Sequence, residues 1–107
     1  MTRRPTDDPV LQRYRAALNA LYGDQLERVV LFGSRARGDA HADSDYDVAV
    51  FLKSLPDRWE AFHRLADLRT EFLVETGEFF DTKPYAASAY QDRTPLMREI
   101  RRDGVEV

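Results

Sequence analysis

The chain has 107 residues, of which 43% are hydrophobic and 33% charged, with a net charge of −3 and no cysteine. This composition predicts one globular domain without disulfides, zinc–thiolate sites or thiol nucleophiles, and its acidic balance argues against broad electrostatic binding of RNA or DNA. Because no apolar run approaches the ~20 residues of a membrane span and no signal-peptide pattern is present, we expect a cytoplasmic protein.

The N-terminal part predicts a tail followed by an amphipathic helix. Residues 1–8 are polar and are expected to form a flexible tail, and residues 9–107 a single domain. Asp8 is a candidate helix cap, because a proline follows it at what would be the first helical position. Apolar residues then recur every three or four positions up to Tyr22, and Gly23 is typical of a helix C-terminus.

The next stretch predicts a strand that ends in a phosphate-binding turn. Leu26–Phe32 is rich in β-branched and aromatic residues, which favours a buried strand. Gly33 and Ser34 follow directly, and glycine lets the backbone approach a ligand closely. A helix that begins at Ser34 would present N–H groups to a phosphate. Since Arg35 and Arg37 add positive charge, this stretch is a candidate nucleotide-binding site.

A second apolar run, residues 45–53, begins with two aspartates. Asp45 and Asp47 are two positions apart, so in a strand their side chains lie on one face. Adjacent carboxylates repel each other, and they suit Mg²⁺, which binds through one or two carboxylates plus substrate phosphates. We therefore predict a metal–nucleotide site here. Asp43 is a weaker candidate ligand, and His41 is expected to be a solvated loop residue.

Two further helices are predicted from helical spacing of apolar residues. Residues 57–76 begin with a capping-box pattern, and Trp59 and Leu73 are expected among the buried residues of this helix. The last predicted helix, residues 94–102, starts at Thr94-Pro95 and has Leu96 facing inward, and a short strand is expected after it.

Between these helices, residues 78–85 predict a third strand, in which Phe80 and Asp81 face opposite sides. An acid within a short aromatic strand is costly to bury unless it is paired or binds a metal. Asp81 is therefore a candidate third metal ligand. Glu78, at the edge of the strand, is its competitor.

The motif Gly33-Ser34, a spacing of ten residues, and Asp45-x-Asp47 resembles that of the nucleotidyltransferases of the DNA polymerase beta superfamily. It differs from a Walker A loop, because no Gly-Lys-Ser/Thr is present. The short length is similar to that of the minimal nucleotidyltransferases that act as antitoxins of HEPN-domain toxins. This resemblance implies an α/β (α+β) fold, the polymerase beta-like palm: a small mixed sheet with helices packed mainly on one side.

The resemblance also implies an activity. In this family a third carboxylate comes from the strand after the long helix, which is the position of Asp81. The implied reaction uses two Mg²⁺ ions and transfers AMP from ATP to a tyrosine of a HEPN-domain toxin. The implied site residues are Asp45, Asp47 and Asp81 for catalysis and metal, and Gly33, Ser34, Arg35 and Arg37 for the nucleotide. Arg37 has a structural ion pair as its alternative role.

Two other classes of protein stay open. A catalytically idle module of this fold would inhibit a toxin by contact alone, although such a module has no need of clustered acids. A small-molecule nucleotidyltransferase would need an acceptor pocket, and few residues remain to build one. We therefore expect a second macromolecule to complete the site, and the acidic net charge favours a protein over a nucleic acid.

Overall fold

The computed structural model describes residues 5–41 and 43–107 of the chain. Within them, short 3-10 turns lie at Pro5–Asp7, Gly23–Gln25 and Ala87–Gln91. The helices and strands are α1 (Pro9–Tyr22), β1 (Leu26–Phe32), α2 (Gly33–Arg37), β2 (Tyr46–Leu52), α3 (Arg58–Thr76), β3 (Phe80–Ala86), α4 (Pro95–Asp103) and β4 (Val105–Glu106). No helix in these described ranges is long and apolar enough to cross a membrane.

The strands form one sheet in the order β3–β2–β1–β4. β1 is antiparallel to both β2 and β4, whereas β2 and β3 are parallel. α3 supplies the long crossover that two parallel neighbours require. The predicted mixed sheet is therefore confirmed.

One face of the sheet packs against α1 and α3 and forms the larger core. Tyr14 of α1 stacks on Phe80, with ring centroids 3.9 Å apart, and Phe80 stacks in turn on Tyr46 at 4.4 Å. The Tyr14 hydroxyl shares a hydrogen bond of 2.6 Å with the buried Thr82 hydroxyl. The other buried residues of this core are Leu11, Leu18, Val29, Leu31, Val48, Val50, Leu52, Ala61, Leu65 and Phe72.

The opposite face carries a smaller core under α4. Met97 and Ile100 of this helix pack against Val30, Ala49 and Phe51 of the two central strands. With two of the three longer helices on one face and the third on the other, the prediction of helices mainly on one side is confirmed.

The capping side chains explain where the three longer helices begin. Asp8, Asp57 and Thr94 each accept backbone N–H groups from the first turn of α1, α3 and α4, as their sequence context indicated. Asp8, the last residue of the tail predicted over residues 1–8, is thus fixed as the cap of α1. Residues 1–4 of that tail lie outside the described residues.

Three predictions of burial are wrong. Trp59, Leu73 and Leu96 are 75%, 44% and 38% exposed. α3 buries only a narrow stripe, formed by Ala61, Leu65 and Phe72. Because an α-helix turns 100° per residue, residues one or two positions from a buried one lie outside such a stripe.

Candidate active site

Two carboxylates stand side by side where the parallel strands begin. Asp47 of β2 and Asp81 of β3 are partners in the parallel ladder, and each is half-buried. Their neighbours Tyr46 and Phe80 are buried in the core on the other face, so strand alternation places both carboxylates on the face that carries α4. Asp45 precedes β2 by one residue and is exposed.

Gly33 brings the turn after β1 against the Asp47 carboxylate. The last residue of β1, Phe32, pairs with Asp47 across the antiparallel ladder. Gly33 has a φ of +73°, and a Cβ added to it would lie 2.3 Å from Oδ2 of Asp47. A side chain at this position would be strained and would displace the carboxylate. The predicted phosphate-binding turn therefore adjoins the predicted metal ligands.

The electrostatics of the site reflect this crowding. The pKa of Asp47 is raised, first by burial and then by the negative charges of Asp81 and Asp45. The charge of Lys83 acts in the opposite direction, and that of Glu99 adds to the repulsion. A bound cation would offset the repulsion among these carboxylates.

Lys83 and Glu99 are two charges at this site to which the sequence analysis gave no role. Lys83 follows Asp81 by two positions on β3, so the same alternation that places Asp81 on this face also places Lys83 there. Glu99 lies on α4, and its influence depends on how that helix docks on the sheet. No local sequence pattern indicates that docking.

The residue types suit Mg²⁺ even though the described residues form no preassembled metal site. Among residues 5–41 and 43–107, no three Asp, Glu or His side chains are grouped closely enough to hold a metal ion. Mg²⁺ needs only one or two carboxylates when substrate phosphates supply further oxygens. The adjacent Asp47 and Asp81, with Asp45 at the head of the strand, provide such a set.

The remaining candidates occupy the turn and the loop beside these carboxylates. Ser34 is half-buried in the first turn of the five-residue α2. Arg37 is exposed and pairs with Asp39 at 3.4 Å, the structural role weighed for it above. Asp43 and His41 are exposed in the loop that leads to β2.

Arg35 and Glu78, which were given separate roles from the sequence, form an ion pair. The Arg35 guanidinium lies 3.5 Å from a Glu78 carboxylate oxygen, and both side chains are partly buried, with 17% and 32% of their surfaces exposed. Glu78 was expected at the edge of its strand, and it lies just before β3. Its engagement with Arg35 leaves Asp81 as the carboxylate beside Asp47.

Comparison with known proteins assigns the chain to a family. The profile described as "Polymerase beta, Nucleotidyltransferase" matches residues 18–107. MJ0141 of Methanocaldococcus jannaschii, provisionally named a protein adenylyltransferase, is 38% identical over 98 residues, which are 92% of this chain and 95% of that protein.

Solved structures show the same fold. A toxin–antitoxin structure with AMP-PNP superposes with a TM-score of 0.61 at 22% identity, over 89% of this chain and 70% of that one. A mutant of the toxin–antitoxin MntA-HpeT gives 0.60 at 20% identity, with the same coverage of both chains.

Proposed function

Because the chain belongs to the polymerase beta nucleotidyltransferase family, we propose that it transfers AMP from ATP to a tyrosine of a HEPN-domain toxin and acts as its antitoxin. The observation that carries this proposal is the in-register pair Asp47 and Asp81 beside the Gly33 turn. The similarity to a relative named as a protein adenylyltransferase supports AMP as the group and a protein as the acceptor. The fold shared with toxin–antitoxin structures supports a toxin as that protein.

Each residue has a distinct role in this reaction. Gly33 and Ser34 bind the triphosphate through backbone N–H and hydroxyl donors. Asp45, Asp47 and Asp81 would hold Mg²⁺, with Asp81 serving mainly the ion at the acceptor hydroxyl. Bound there, Mg²⁺ would supply charge neutralisation at the phosphates and a lower pKa of that hydroxyl. Both strands that carry these aspartates are fixed by the core beneath them, so the carboxylates are held in place before substrate arrives.

The bond changes follow from these positions. The acceptor oxygen attacks the α-phosphorus of ATP, and the bond from that phosphorus to the α–β bridging oxygen breaks. Pyrophosphate leaves, and the carboxylate of Asp81 accepts the proton of the acceptor hydroxyl. The product is a phosphodiester between AMP and the acceptor.

The acceptor approaches from the edge of the sheet. β3 is an edge strand, so the side of Asp81 away from β2 has no neighbouring strand among the described residues. The Gly33 turn, which binds the triphosphate, lies on the other side of Asp47, at the end of β1. ATP and the acceptor can thus reach the carboxylates from different sides, and the acceptor oxygen must then align with the α-phosphorus opposite the leaving pyrophosphate for in-line displacement.

Intact mass spectrometry tests the proposal. The chain is incubated with ATP, MgCl₂ and the HEPN-domain protein expected from the neighbouring reading frame. We expect the mass of that partner to rise by one or more AMP units with the wild-type chain, and to stay unchanged with Asp47→Asn. Asp67→Asn, an exposed position on α3, is the matched control and should modify the partner normally.

Two results would replace the proposal with one of its alternatives. If the partner never gains mass and Asp47→Asn still neutralises it in cells, the chain acts by contact alone. If AMP is transferred to a small hydroxyl compound but not to the partner, the chain is a small-molecule nucleotidyltransferase.

A further inference from the structure

Arg35 makes its strongest contacts with the loop that leads into β2. Its Nε and Nη2 both donate to the carbonyl oxygen of Ser44, at 3.0 and 2.7 Å. The Ser44 hydroxyl oxygen accepts the backbone N–H of His41 at 2.9 Å, and the Ser44 N–H donates to the His41 carbonyl at 3.0 Å. Ser44 directly precedes Asp45, so these bonds fix the backbone at the entrance to the candidate site.

The same guanidinium also contacts the beginnings of both site strands. Its Cζ lies 3.9 Å from the ring centroid of Tyr46, the residue between Asp45 and Asp47. Its Nη2 lies 3.5 Å from Glu78, three positions before Asp81. With only 17% of its side chain exposed, Arg35 is enclosed by these groups.

Tyr46 connects this cluster to the main core. Its hydroxyl donates to the carboxylate of Asp8, which also accepts the N–H groups of Val10 and Leu11 at the start of α1. The Tyr46 N–H donates to the carbonyl of Phe79 at 2.9 Å, which continues the ladder between β2 and β3 toward the site. The surface on which Arg35 rests is thus anchored at several points.

From these contacts we infer that Arg35 is a positioning residue that holds Asp45 and Asp47 opposite Asp81, and that it is not a ligand of the triphosphate. The inference rests on the proposed function and differs from the nucleotide-binding role that the family resemblance implies for this arginine. A planar guanidinium can donate twice to one carbonyl while it stacks on a ring, and a lysine ammonium cannot. The partly exposed ion pair with Glu78 contributes less than these bonds.

The two possible roles of Arg35 predict different effects of Glu78→Gln. If Arg35 positions the strands, Glu78→Gln removes one of the contacts that orient it and lowers the rate of transfer. If Arg35 binds phosphate, Glu78 competes with the nucleotide for the guanidinium, so Glu78→Gln makes ATP bind more tightly. Because Glu78 is only partly buried, Glu78→Gln is expected to fold, and it tests the role of Arg35 even if Arg35→Gln does not fold.

Hydrogen exchange of the chain without nucleotide tests the positioning role independently of activity. We expect the backbone amides of residues 43–47 to exchange about tenfold faster in both Arg35→Gln and Arg35→Lys. The control is Arg64→Gln, since Arg64 forms an exposed pair with Glu60 on α3. Unchanged exchange in the two Arg35 variants would overturn the inference.

Kinetics separate the two roles a second time. We expect Arg35→Gln to lower kcat/KM for transfer at least tenfold, and Arg35→Lys to restore little of that loss or of any accompanying loss of ATP affinity, because a lysine ammonium cannot replace the paired bonds to Ser44. A higher Kd for ATP that lysine restores, together with tighter ATP binding by Glu78→Gln, would make Arg35 a phosphate ligand. If the wild-type chain itself transfers nothing, the proposed function fails, and the exchange experiment still decides the role of Arg35.

Discussion

The face of the sheet that packs on α1 and α3 is closed by stacked aromatic rings, whereas the opposite face presents carboxylates where β2 and β3 begin. Successive residues of the same two strands contribute to opposite faces. Tyr46 and Phe80 are buried in the core, and their neighbours Asp47 and Asp81 stand on the other side. The residues that stabilise the fold and those proposed to act on substrate are thus adjacent in sequence.

Strand register governs the stability of the fold and the placement of the carboxylates together. Because side chains alternate with period two, a slip of one residue would exchange the rings and the carboxylates. The rings of Tyr14, Tyr46 and Phe80 stack at 3.9 and 4.4 Å and so fix the register. With the register fixed, substitutions on the two faces should have separable effects on stability and activity.

The largest effect on activity is expected from Asp47→Asn. Loss of this carboxylate should lower the rate of AMP transfer by more than the ~100-fold that loss of an outer-shell metal partner costs. Thermal unfolding should show equal or higher stability, because the substitution removes repulsion from Asp81 and Asp45. A clear loss of stability would mean that Asp47 holds the fold together instead.

Asp81→Asn should separate chemistry from nucleotide binding. Asp81 is proposed to accept the acceptor proton, so we expect kcat to fall roughly 10²-fold, the size typical of a lost general base. Binding of Mg²⁺-ATP, followed by calorimetry, should stay within a few-fold of the wild type. An active Asp81→Asn would move the role of general base to another residue.

Gly33→Ala and Gly77→Ala form a matched pair that tests whether the Gly33 turn contributes to Mg²⁺-ATP binding. Both glycines have a similar positive φ, +73° and +75°, so each substitution should cost about 1–2 kcal/mol of unfolding free energy. Only the added Cβ at Gly33 meets the Asp47 carboxylate; nothing lies within 4 Å of one at Gly77. We therefore expect only Gly33→Ala to weaken Mg²⁺-ATP binding beyond its effect on stability. If both variants bind Mg²⁺-ATP equally well, the Gly33 turn is not part of the nucleotide site.

The smallest effect belongs to the core face. Tyr14→Phe should lower the free energy of unfolding by about 1 kcal/mol at neutral pH, the usual net value of one hydrogen bond, without changing AMP transfer. Thr82, the partner of Tyr14, keeps a second bond to the carbonyl of Phe80, which limits the loss.

The same variant should reveal a dependence on alkaline pH. Burial raises the pKa of Tyr14 from 10.0 to about 12. The unfolded chain therefore loses this proton first, and unfolding becomes easier as the pH rises from 10 to 12. Chemical denaturation across this range should show the stability advantage of the wild type over Tyr14→Phe shrinking. An advantage that stays constant would contradict the raised pKa.

Much of the fold could be predicted because its signals are local. The capping residues Asp8, Asp57 and Thr94 and the alternation along residues 79–85 were all identified from short sequence windows. The in-register approach of Asp47 and Asp81 needed the family resemblance, because no local pattern indicates which strands pair.

The contacts of Arg35 and the exposure of Trp59 could not be predicted for a related reason. Arg35 reaches Glu78 across more than forty residues, and the bond from Tyr46 to Asp8 spans 38 positions. Trp59 is large and apolar, as core residues often are. The sheet beneath α3 sets the width of the buried stripe on that helix, and Trp59 lies outside the stripe.

The carboxylate face is expected to bind Mg²⁺-ATP, and a thermal shift experiment measures this binding without any acceptor. A ligand that binds only the folded chain adds about 2.7 kcal/mol of stability at a hundredfold excess over its Kd. We predict that ATP with MgCl₂ raises the Tm of the wild type and of Tyr14→Phe, and that EDTA or Asp47→Asn abolishes the increase. An equal increase in Asp47→Asn, or one that persists in EDTA, would contradict the account.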